Sequence, residues 1–294
     1  MPPPEYAGRF GIRPRTRRDF QFLLDYGSPG VKSLPNRDAW MARACYDDCI
    51  AFMDEHLGQP MDVLQGQGLV DNTLVIITAD HGESFGDHGF YLHGTGLYLE
   101  ETAVPLVILS PDAPAGRVVD QPVSLRDLPA TVVDQLGLSA GSPFPGHSLA
   151  VHWASSGGVP AETMPVLSEH TTETAFQQPE AGRSLRRRDV QMSLVDRGRH
   201  YIRDGFGVEK LFNLRADPFE SVNLASSPEE KPFVEFFRST LLDVLDHNPG
   251  TAQAENAYLI AYRQWLKSLV AETKTAEPHE PLSGGEIRLD QRRR

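Results

Sequence analysis

The pattern of apolar and polar positions predicts helices alternating with strands in the first half of the chain. Apolar residues recur at helical spacing from Asn36 onward, and Pro60 is expected to break or kink that helix before a short second one. Two unbroken apolar runs, 74–79 and 104–109, are typical of strands that are buried on both faces of a parallel sheet. We therefore predict that this half of the chain forms an α/β core with a mostly parallel sheet flanked by helices.

The second half of the chain has a different pattern. Strand-like segments at 166–168 and 191–195 are short, and the turn at 196–199 predicts an antiparallel hairpin. Two helices are expected at about 229–246 and 252–272, and the polar composition that follows them predicts disorder.

The change in pattern falls near residue 155, after a stretch that contains proline and glycine. We therefore predict that residues 1–155 form the α/β core and that residues 156–275 form a smaller α+β subdomain with an antiparallel sheet and helices. Residues 276–294 are expected to form a disordered tail. The predicted fold class is thus α/β with an appended α+β unit.

Composition and charge narrow the possible function classes. The chain has 294 residues, 23% of them charged, and a formal net charge of −12, so no global field would draw it to nucleic acid or to an anionic membrane. No apolar run approaches the ~20 residues that span a bilayer, and the first residues lack the apolar core of a signal peptide. If the chain is complete, it is expected in the cytoplasm.

The two cysteines, Cys45 and Cys49, lie about one helical turn apart. A helix holds such a pair in a geometry that makes a direct disulfide awkward, and two thiols cannot build a disulfide framework. Both side chains are therefore expected to serve in packing.

The segment 78–94 holds the residues that point to chemistry. Asp80 and His81 directly follow the first predicted strand, at the edge where ligand sites form in open α/β sheets. A carboxylate beside an imidazole suits one shared divalent cation. Glycines in the segment let the loop fold around a small charged group, so His88 and His93 could face an anion. A polar loop that only covers the sheet edge remains an alternative.

Other hydrolytic patterns fit this segment less well. No second histidine follows His81 four residues later, so a zinc-protease helix is excluded. The pattern Gly-x-Ser-x-Gly occurs at 82–86 and 137–141, but neither stretch joins a predicted strand directly to a predicted helix, as a nucleophile elbow requires. The chain contains no phosphate-binding Gly-x4-Gly-Lys-Ser/Thr loop. A three-histidine zinc site stays open, although the histidine spacing is not the usual one.

Several blocks of the sequence match one family pattern in the family's order. They are DNTLVIITADHGE at 71–83, GDHG at 86–89, HG at 93–94, VPLVI at 104–108, SLRDLPAT at 124–131 and LFNL at 211–214. These blocks resemble the sulfatase family of the alkaline-phosphatase-like superfamily. One departure is Ala103, which stands where the family usually has arginine.

The resemblance implies an alkaline-phosphatase-like fold and a metal-dependent hydrolase of sulfate esters. Asp80 and His81 match metal ligands of the family, and His93 matches a Lys or His that contacts the sulfate oxygens and takes part in catalysis. His88 is a second candidate for contact with the substrate. The implied cofactor is one divalent ion, with Ca²⁺ favoured over Mn²⁺, Mg²⁺ or Zn²⁺, and the implied substrate is a small-molecule sulfate ester.

The resemblance also identifies what this sequence lacks. Sulfatases use a Cys or Ser in a C/S-x-P/A-x-R motif, and neither Cys45 nor Cys49 fits that motif. The family's N-terminal metal ligands and first strand have no match either. We therefore expect a truncated or split chain that binds metal weakly, has negligible turnover by itself and needs a partner that supplies the first half.

Three interpretations stay open at this point. The first is a sulfatase from a truncated or split gene. The second is a phosphodiester or phosphonate monoester hydrolase of the same superfamily, which uses the same Asp-His pair on a phosphate or phosphonate ester. The third is a non-catalytic remnant or binding module that keeps the fold and not the chemistry.

Overall fold

The computed structural model describes residues 1–26, 34–94, 96–140, 142, 144, 146–154, 165–171, 190–247, 264 and 267. The described helices are α1 Arg17–Asp25, α2 Asn36–Gly66, α3 Leu99–Thr102, α4 Asp127–Gln135 and α5 Lys231–His247. The strands are β1 Val75–Thr78, β2 Ser84–Phe85, β3 Tyr91–Leu92, β4 Leu106–Leu109, β5 Val166–Thr171, β6 Val190–Asp196, β7 Arg199–Asp204 and β8 Glu209–Asn213. Single 3₁₀ turns occur at Val70–Asn72, Asp87–Gly89 and Leu149–His152.

The two apolar strands of the first half pair with each other in the antiparallel direction. β1 and β4 form a two-stranded sheet in which Val75 faces Leu109 and Thr78 faces Leu106. The expectation of a parallel sheet is wrong for these strands, since every strand pair in the described part of the chain is antiparallel. An apolar run predicts a strand, but the path of the connecting chain decides its direction.

The sheet formed by β1 and β4 is only partly covered. Val107 is 50% exposed and Leu109 is 42% exposed, although both belong to an apolar run. Two strands alone are marginal in water, because at least three strands or a packed helix are needed to bury an apolar face. This sheet therefore leaves apolar surface and strand edges without a described neighbour.

Helix α2 is continuous over 31 residues and contains Pro60. The expectation that Pro60 ends this helix and starts a second one is wrong. Pro60 is exposed, and so is His56, whose carbonyl loses its backbone hydrogen bond to position 60, so water can bind that carbonyl. The buried face lies in the first half of the helix, where Met41 and Cys45 are almost fully covered. Cys45 and Cys49 are both free thiols, in agreement with the packing role predicted for them.

Asp48 fixes the N-terminal segment against α2. Its buried carboxylate accepts the backbone N–H groups of Gly8, Arg9 and Phe10 at 2.6, 2.9 and 3.1 Å. Tyr6 packs its ring edge-on against Phe52 of the same helix, with the ring centroids 5.3 Å apart. Three hydrogen bonds to one charged group hold an otherwise irregular segment in a single path.

The second half forms a four-stranded antiparallel sheet in the order β5-β6-β7-β8. The turn between β6 and β7 places Arg197 and Gly198 in the left-handed region, with φ of 49° and 71°, which confirms the predicted hairpin. Helix α5 packs on this sheet, and the shared core consists of Val190, Met192, Leu194, Tyr201, Leu211, Val234, Phe237, Leu241 and Leu245.

Some expectations concern residues outside the described part. The helix expected at 252–272 has only Gln264 and Lys267 described, both in helical conformation, and the tail at 276–294 lies outside it entirely. The division at residue 155 remains a prediction. Among the described residues, no helix is both long and apolar enough to cross a bilayer.

We predict that Asp48→Ala lowers the free energy of unfolding by about 1–3 kcal/mol, because it leaves three backbone donors without their acceptor. Urea unfolding followed by circular dichroism measures the change. The control is Asp54→Ala, which removes an exposed carboxylate from the same helix and should change stability by less than about 0.5 kcal/mol. Equal effects of the two substitutions would contradict the anchoring role of Asp48.

Candidate active site

The candidate site begins where β1 ends. Asp80 accepts the backbone N–H of His81 at 3.0 Å through Oδ1, and its Oδ2 lies 3.8 Å from His81 Nε2. The Asp80 side chain is 90% exposed and that of His81 is 43% exposed, so both can reach a ligand from solvent. A carboxylate oxygen and an imidazole nitrogen at this spacing can bind one cation with a small rotation of either side chain.

The His81 ring is held in one tautomer by the backbone. Its Nδ1 lies 2.8 Å from the carbonyl oxygen of Gly82, and because a carbonyl only accepts, Nδ1 must carry the proton. Nε2 of the neutral ring then keeps its lone pair. Histidines that bind metals usually donate their other ring N–H in this way.

Gly82 places the whole segment against α3. Its N–H donates to the carbonyl of Glu101 at 2.8 Å. A Cβ at position 82 would lie 2.0 Å from the carbonyl oxygen of Glu100, so no other residue fits without moving one of the two backbones. Ser84 adds a buried hydrogen bond of 3.0 Å to the Glu101 carboxylate. These contacts fix where the chain turns after Asp80 and His81.

His93 returns to the site after the β2–β3 ribbon. Leu92 and Gly94 both have a φ of 69°, and this left-handed turn brings the His93 ring onto the His81 ring, with the centroids 4.1 Å apart and the planes 30° apart. Nδ1 of His93 lies 2.9 Å from Oε2 of Glu83. The carboxylate therefore orients His93 much as the Gly82 carbonyl orients His81.

Asp80, His81 and His93 line one groove of about 880 Å³. The far walls of the groove come from β4, from the segment 113–125 and from β5. Arg117 lies in this lining, and its charge contributes to lowering the pKa of His152, for which burial is the main cause. The groove is large enough for a small charged ester together with part of its leaving group.

The structure places His88 apart from the other predicted site residues. Its ring stacks on Tyr98 with the centroids 3.7 Å apart and the planes within 5°. Nε2 of His88 lies 3.4 Å from Oε1 of Glu100, and His88 does not line the groove. Burial lowers the pKa of His88, which favours the neutral ring.

Glu100 and Glu220 complete the cluster around His88. Burial, with the nearby charge of Glu220, raises the pKa of Glu100 to about 7. Glu220 is fully buried, accepts the N–H of Leu99 at 2.7 Å and makes a very short contact with Nδ1 of His200. The sequence analysis did not identify His200 or Glu100 for this role, because both depend on Glu220, which lies 20 residues from His200 and 121 residues from Leu99 in the sequence and gives no local signal.

We predict that Gly82→Ala destabilises the chain by about 1–3 kcal/mol, because the new Cβ cannot coexist with the Glu100 carbonyl at 2.0 Å. Thermal unfolding measures the loss. Gly58→Ala is the matched control: it lies inside α2 with no atom within 4 Å of its Cβ, and we expect a gain of about 0.5–1 kcal/mol. A neutral Gly82→Ala variant would show that the loop can shift away from α3.

The Glu100 carboxyl should make stability depend on pH. The folded chain keeps the proton up to about pH 7, whereas the unfolded chain releases it near the ordinary glutamate pKa of 4.5. The stability that protonated Glu100 provides is therefore fully present below pH 4.5 and is lost as the pH rises through 7. Glu100→Gln should therefore become more stable relative to the wild type over that interval. Urea midpoints across the pH range test this, with Glu235→Gln on the exposed side of α5 as the control. A difference that stays constant with pH would contradict it.

Comparison with known proteins gives consistent matches. The family model described as Sulfatase matches residues 2–138. A choline-sulfatase of Rhizobium meliloti is 28% identical over 188 residues, which is 64% of this chain and 34% of that protein. The multifunctional alkaline phosphatase superfamily protein PehA of Trinickia caryophylli is 30% identical over 191 residues, or 63% of this chain and 37% of that protein. The chain thus spans less than half of the length of these relatives.

Solved structures match in the same way. The phosphonate monoester hydrolase of Agrobacterium radiobacter superposes with a TM-score of 0.61 at 28% identity and covers 70% of this chain and 42% of that one. A sulfatase-like structure from Bacteroides thetaiotaomicron, at 19% identity, has a TM-score of 0.65 over 86% of this chain and 57% of that one. These superpositions confirm the α/β, alkaline-phosphatase-like fold class. The chain is therefore related to the sulfatases, and its residues 2–138 match the sulfatase family model.

Proposed function

We propose that this chain supplies the cation-binding and anion-contacting part of a metal-dependent hydrolase of small sulfate esters. The observation that carries the proposal is the convergence of Asp80, His81 and His93 in one groove at the end of β1. A strand end of an α/β fold is where such a ligand site is expected. The family relationship supports the same reaction class.

The donor atoms fit a divalent cation. The Asp80 carboxylate is solvent-accessible, and His81 keeps a lone pair on Nε2 because its Nδ1 donates to the Gly82 carbonyl. When bound, the cation would lower the pKa of the attacking group and offset charge on the transferring sulfuryl group. We assign Asp80 and His81 as its ligands from this chain, with Ca²⁺ as the expected ion and Mn²⁺, Mg²⁺ or Zn²⁺ as alternatives.

His93 is assigned the contact to the ester. Glu83 holds Nδ1 of the ring, so Nε2 is the atom that can face the groove. With both nitrogens protonated, the ring donates a charge-assisted hydrogen bond from Nε2 to a sulfate oxygen and stabilises negative charge that develops there. His88 is left out of this assignment, because its ring is stacked on Tyr98 and lies beside Glu100.

The nucleophile is assigned to residues outside this sequence. Residues 33–37 (SLPNR) fit the C/S-x-P/A-x-R pattern, but Arg37 lies in α2, pairs with Asp19 and Asp38 and does not line the groove, so this match is not assigned as the nucleophile. Two protein ligands are also too few for a hard cation that takes about six. We propose that a segment with the other ligands and the nucleophile pairs with the open sheet of β1 and β4. The exposed Val107 and Leu109 give such a segment an apolar face to cover.

A phosphonate or phosphodiester hydrolase is the second candidate function. It is favoured by the similarity to the Agrobacterium radiobacter phosphonate monoester hydrolase, the highest identity among the structural matches described above. Sulfate and phosphonate esters are both tetrahedral anions of similar size, so the Asp80, His81 and His93 constellation serves either. A sulfate ester, a phosphodiester and a phosphonate monoester each carry one negative charge, so charge alone does not separate the two candidates.

We predict weak, saturable binding of Mn²⁺ and expect Asp80→Asn to abolish it. We also predict metal-dependent binding of methyl sulfate. His93→Gln should weaken that binding by about 10-fold, because one charge-assisted hydrogen bond is lost. Nuclear magnetic resonance line broadening of the ligand measures both steps. The chain alone is expected to leave 4-nitrophenyl sulfate intact.

Asp54→Asn on the exposed side of α2 is the control and should bind both the metal and the anion like the wild type. Methyl sulfate binding that needs no metal, or that survives both site substitutions, would overturn the proposal. Tighter binding of methylphosphonate than of methyl sulfate would favour the second candidate.

A further inference from the structure

We propose that His81, Glu83 and His93 form a second metal configuration that selects a borderline cation such as Zn²⁺ and excludes the cation held by Asp80 and His81. One potential ligand atom of each of the three residues lies within 4.8 Å of those of the other two. Because His81 belongs to both sets, the two configurations cannot be occupied together. The zinc site stands on these residues alone, and only its inhibitory effect rests on the proposed function.

The three side chains are built into the loop rather than scattered on its surface. Glu83 is only 14% exposed, whereas His93 is 52% exposed and His81 is 43% exposed. Burial is the main cause that raises the pKa of Tyr26 and of Tyr46, and the nearby Glu83 charge adds to it. His81 and His93 line the groove, whereas Glu83 does not. A cation would therefore enter from the groove and meet the two rings first.

The hydrogen bonds of the rings prepare them as ligands. His81 donates Nδ1–H to the Gly82 carbonyl, and His93 donates Nδ1–H to Glu83. Each ring in its neutral form then presents a free lone pair on Nε2. Glu83 can remain the outer partner of His93 or move by about 1–2 Å to bind the metal itself, and both arrangements are common around zinc.

The stacking of the rings gives a second reason to expect a cation here. The ring centroids lie 4.1 Å apart with the planes at 30°, and one ligand atom of each ring lies within 4.8 Å of the other. Two imidazole nitrogens at this separation can bind one metal ion after a small rotation of either ring.

The donor set also decides which metal is preferred. Imidazole nitrogens suit Zn²⁺, Co²⁺, Ni²⁺ and Cu²⁺, whereas Ca²⁺ takes six to eight oxygen ligands. The first set combines the His81 nitrogen with carboxylate oxygen from Asp80, whereas the second combines two imidazole nitrogens with the Glu83 carboxylate. Hard cations should therefore depend on Asp80, and borderline cations on Glu83 and His93.

Occupation of the second configuration has a chemical consequence for the proposed reaction. A metal on His93 Nε2 takes the atom that would donate to the sulfate oxygen, and a metal on His81 removes one ligand from the reactive cation. Zn²⁺ would then act as an inhibitor of the same groove, in competition with both the hard cation and the ester.

The experiment compares metal affinities of the full chain and four variants. Zn²⁺ affinity is measured against a chromogenic chelator, and Co²⁺ is added as a spectroscopic probe of a low-coordinate site. We expect Glu83→Gln and His93→Gln to weaken Zn²⁺ binding by about 10-fold or more, and Asp80→Asn to change it by less than about 3-fold. His56→Gln, an exposed histidine on α2, is the matched control and should bind like the wild type.

A second measurement needs no variant. Co²⁺ should broaden the ring resonances of His81 and His93 in the wild-type chain and leave those of His56 and His147 sharp. Three results would each overturn the proposal. They are wild-type Zn²⁺ affinity in both Glu83→Gln and His93→Gln, a loss of Zn²⁺ affinity in Asp80→Asn as large as in those two variants, and broadening of the resonances of all histidines.

The inhibitory consequence is tested in the same samples. Addition of Zn²⁺ should abolish Mn²⁺-dependent binding of methyl sulfate, and Glu83→Gln should relieve that effect. A chain that never binds methyl sulfate but still binds Zn²⁺ through Glu83 and His93 would refute the proposed function and leave the zinc site standing, so the two failures are distinguishable.

Discussion

The close contact between Gly82 and α3 is the constraint on which the candidate site depends. The Gly82 N–H donates to the Glu101 carbonyl, and the missing side chain lets the two backbones approach to a distance that any Cβ would forbid. The same residue offers the carbonyl that holds His81 Nδ1. One glycine therefore sets both the position of the loop and the tautomer of a candidate ligand.

Carboxylate and imidazole groups occur at two depths around this contact. His81, His93 and Glu83 lie toward the groove, where solvent can screen their charges. His88, Glu100 and Glu220 lie toward the C-terminal sheet, where burial favours the neutral forms of His88 and Glu100. The outer group suits the binding of ions, whereas the inner group holds α3 in place. Histidines of one short segment thus have different surroundings, with His81 and His93 at the groove and His88 stacked on Tyr98.

Local pattern was sufficient to place Asp80, His81 and His93 at one edge of the sheet. Asp80 and His81 follow an apolar run, and His93 lies in a glycine-bounded loop, so strand prediction and residue chemistry together bring them to one edge. The hairpin at 196–199 was equally predictable, because its turn residues tolerate positive φ. These features depend on neighbours within about twenty residues in the sequence.

Features set by distant partners were not predictable in this way. The antiparallel direction of β1 and β4 depends on the path of residues 79–105, and the continuity of α2 through Pro60 depends on solvent exposure. His88 looked like an anion contact because its partner Tyr98 and the acids behind it could not be placed from sequence. The residue type shows which interactions a side chain can make, and the tertiary contacts decide which of those interactions it makes.

The hydrogen bond from Leu99 to Glu220 joins residues 121 positions apart, and it has a consequence for the order of folding. Closing so long a loop costs conformational entropy before any contact repays it, so this link should form late. During synthesis, the segment with the candidate ligands leaves the ribosome well before β7 and the residues around Glu220. Helix α3 therefore lacks its hydrogen bond to Glu220 until the C-terminal sheet has assembled. The groove is then completed only after that sheet has formed.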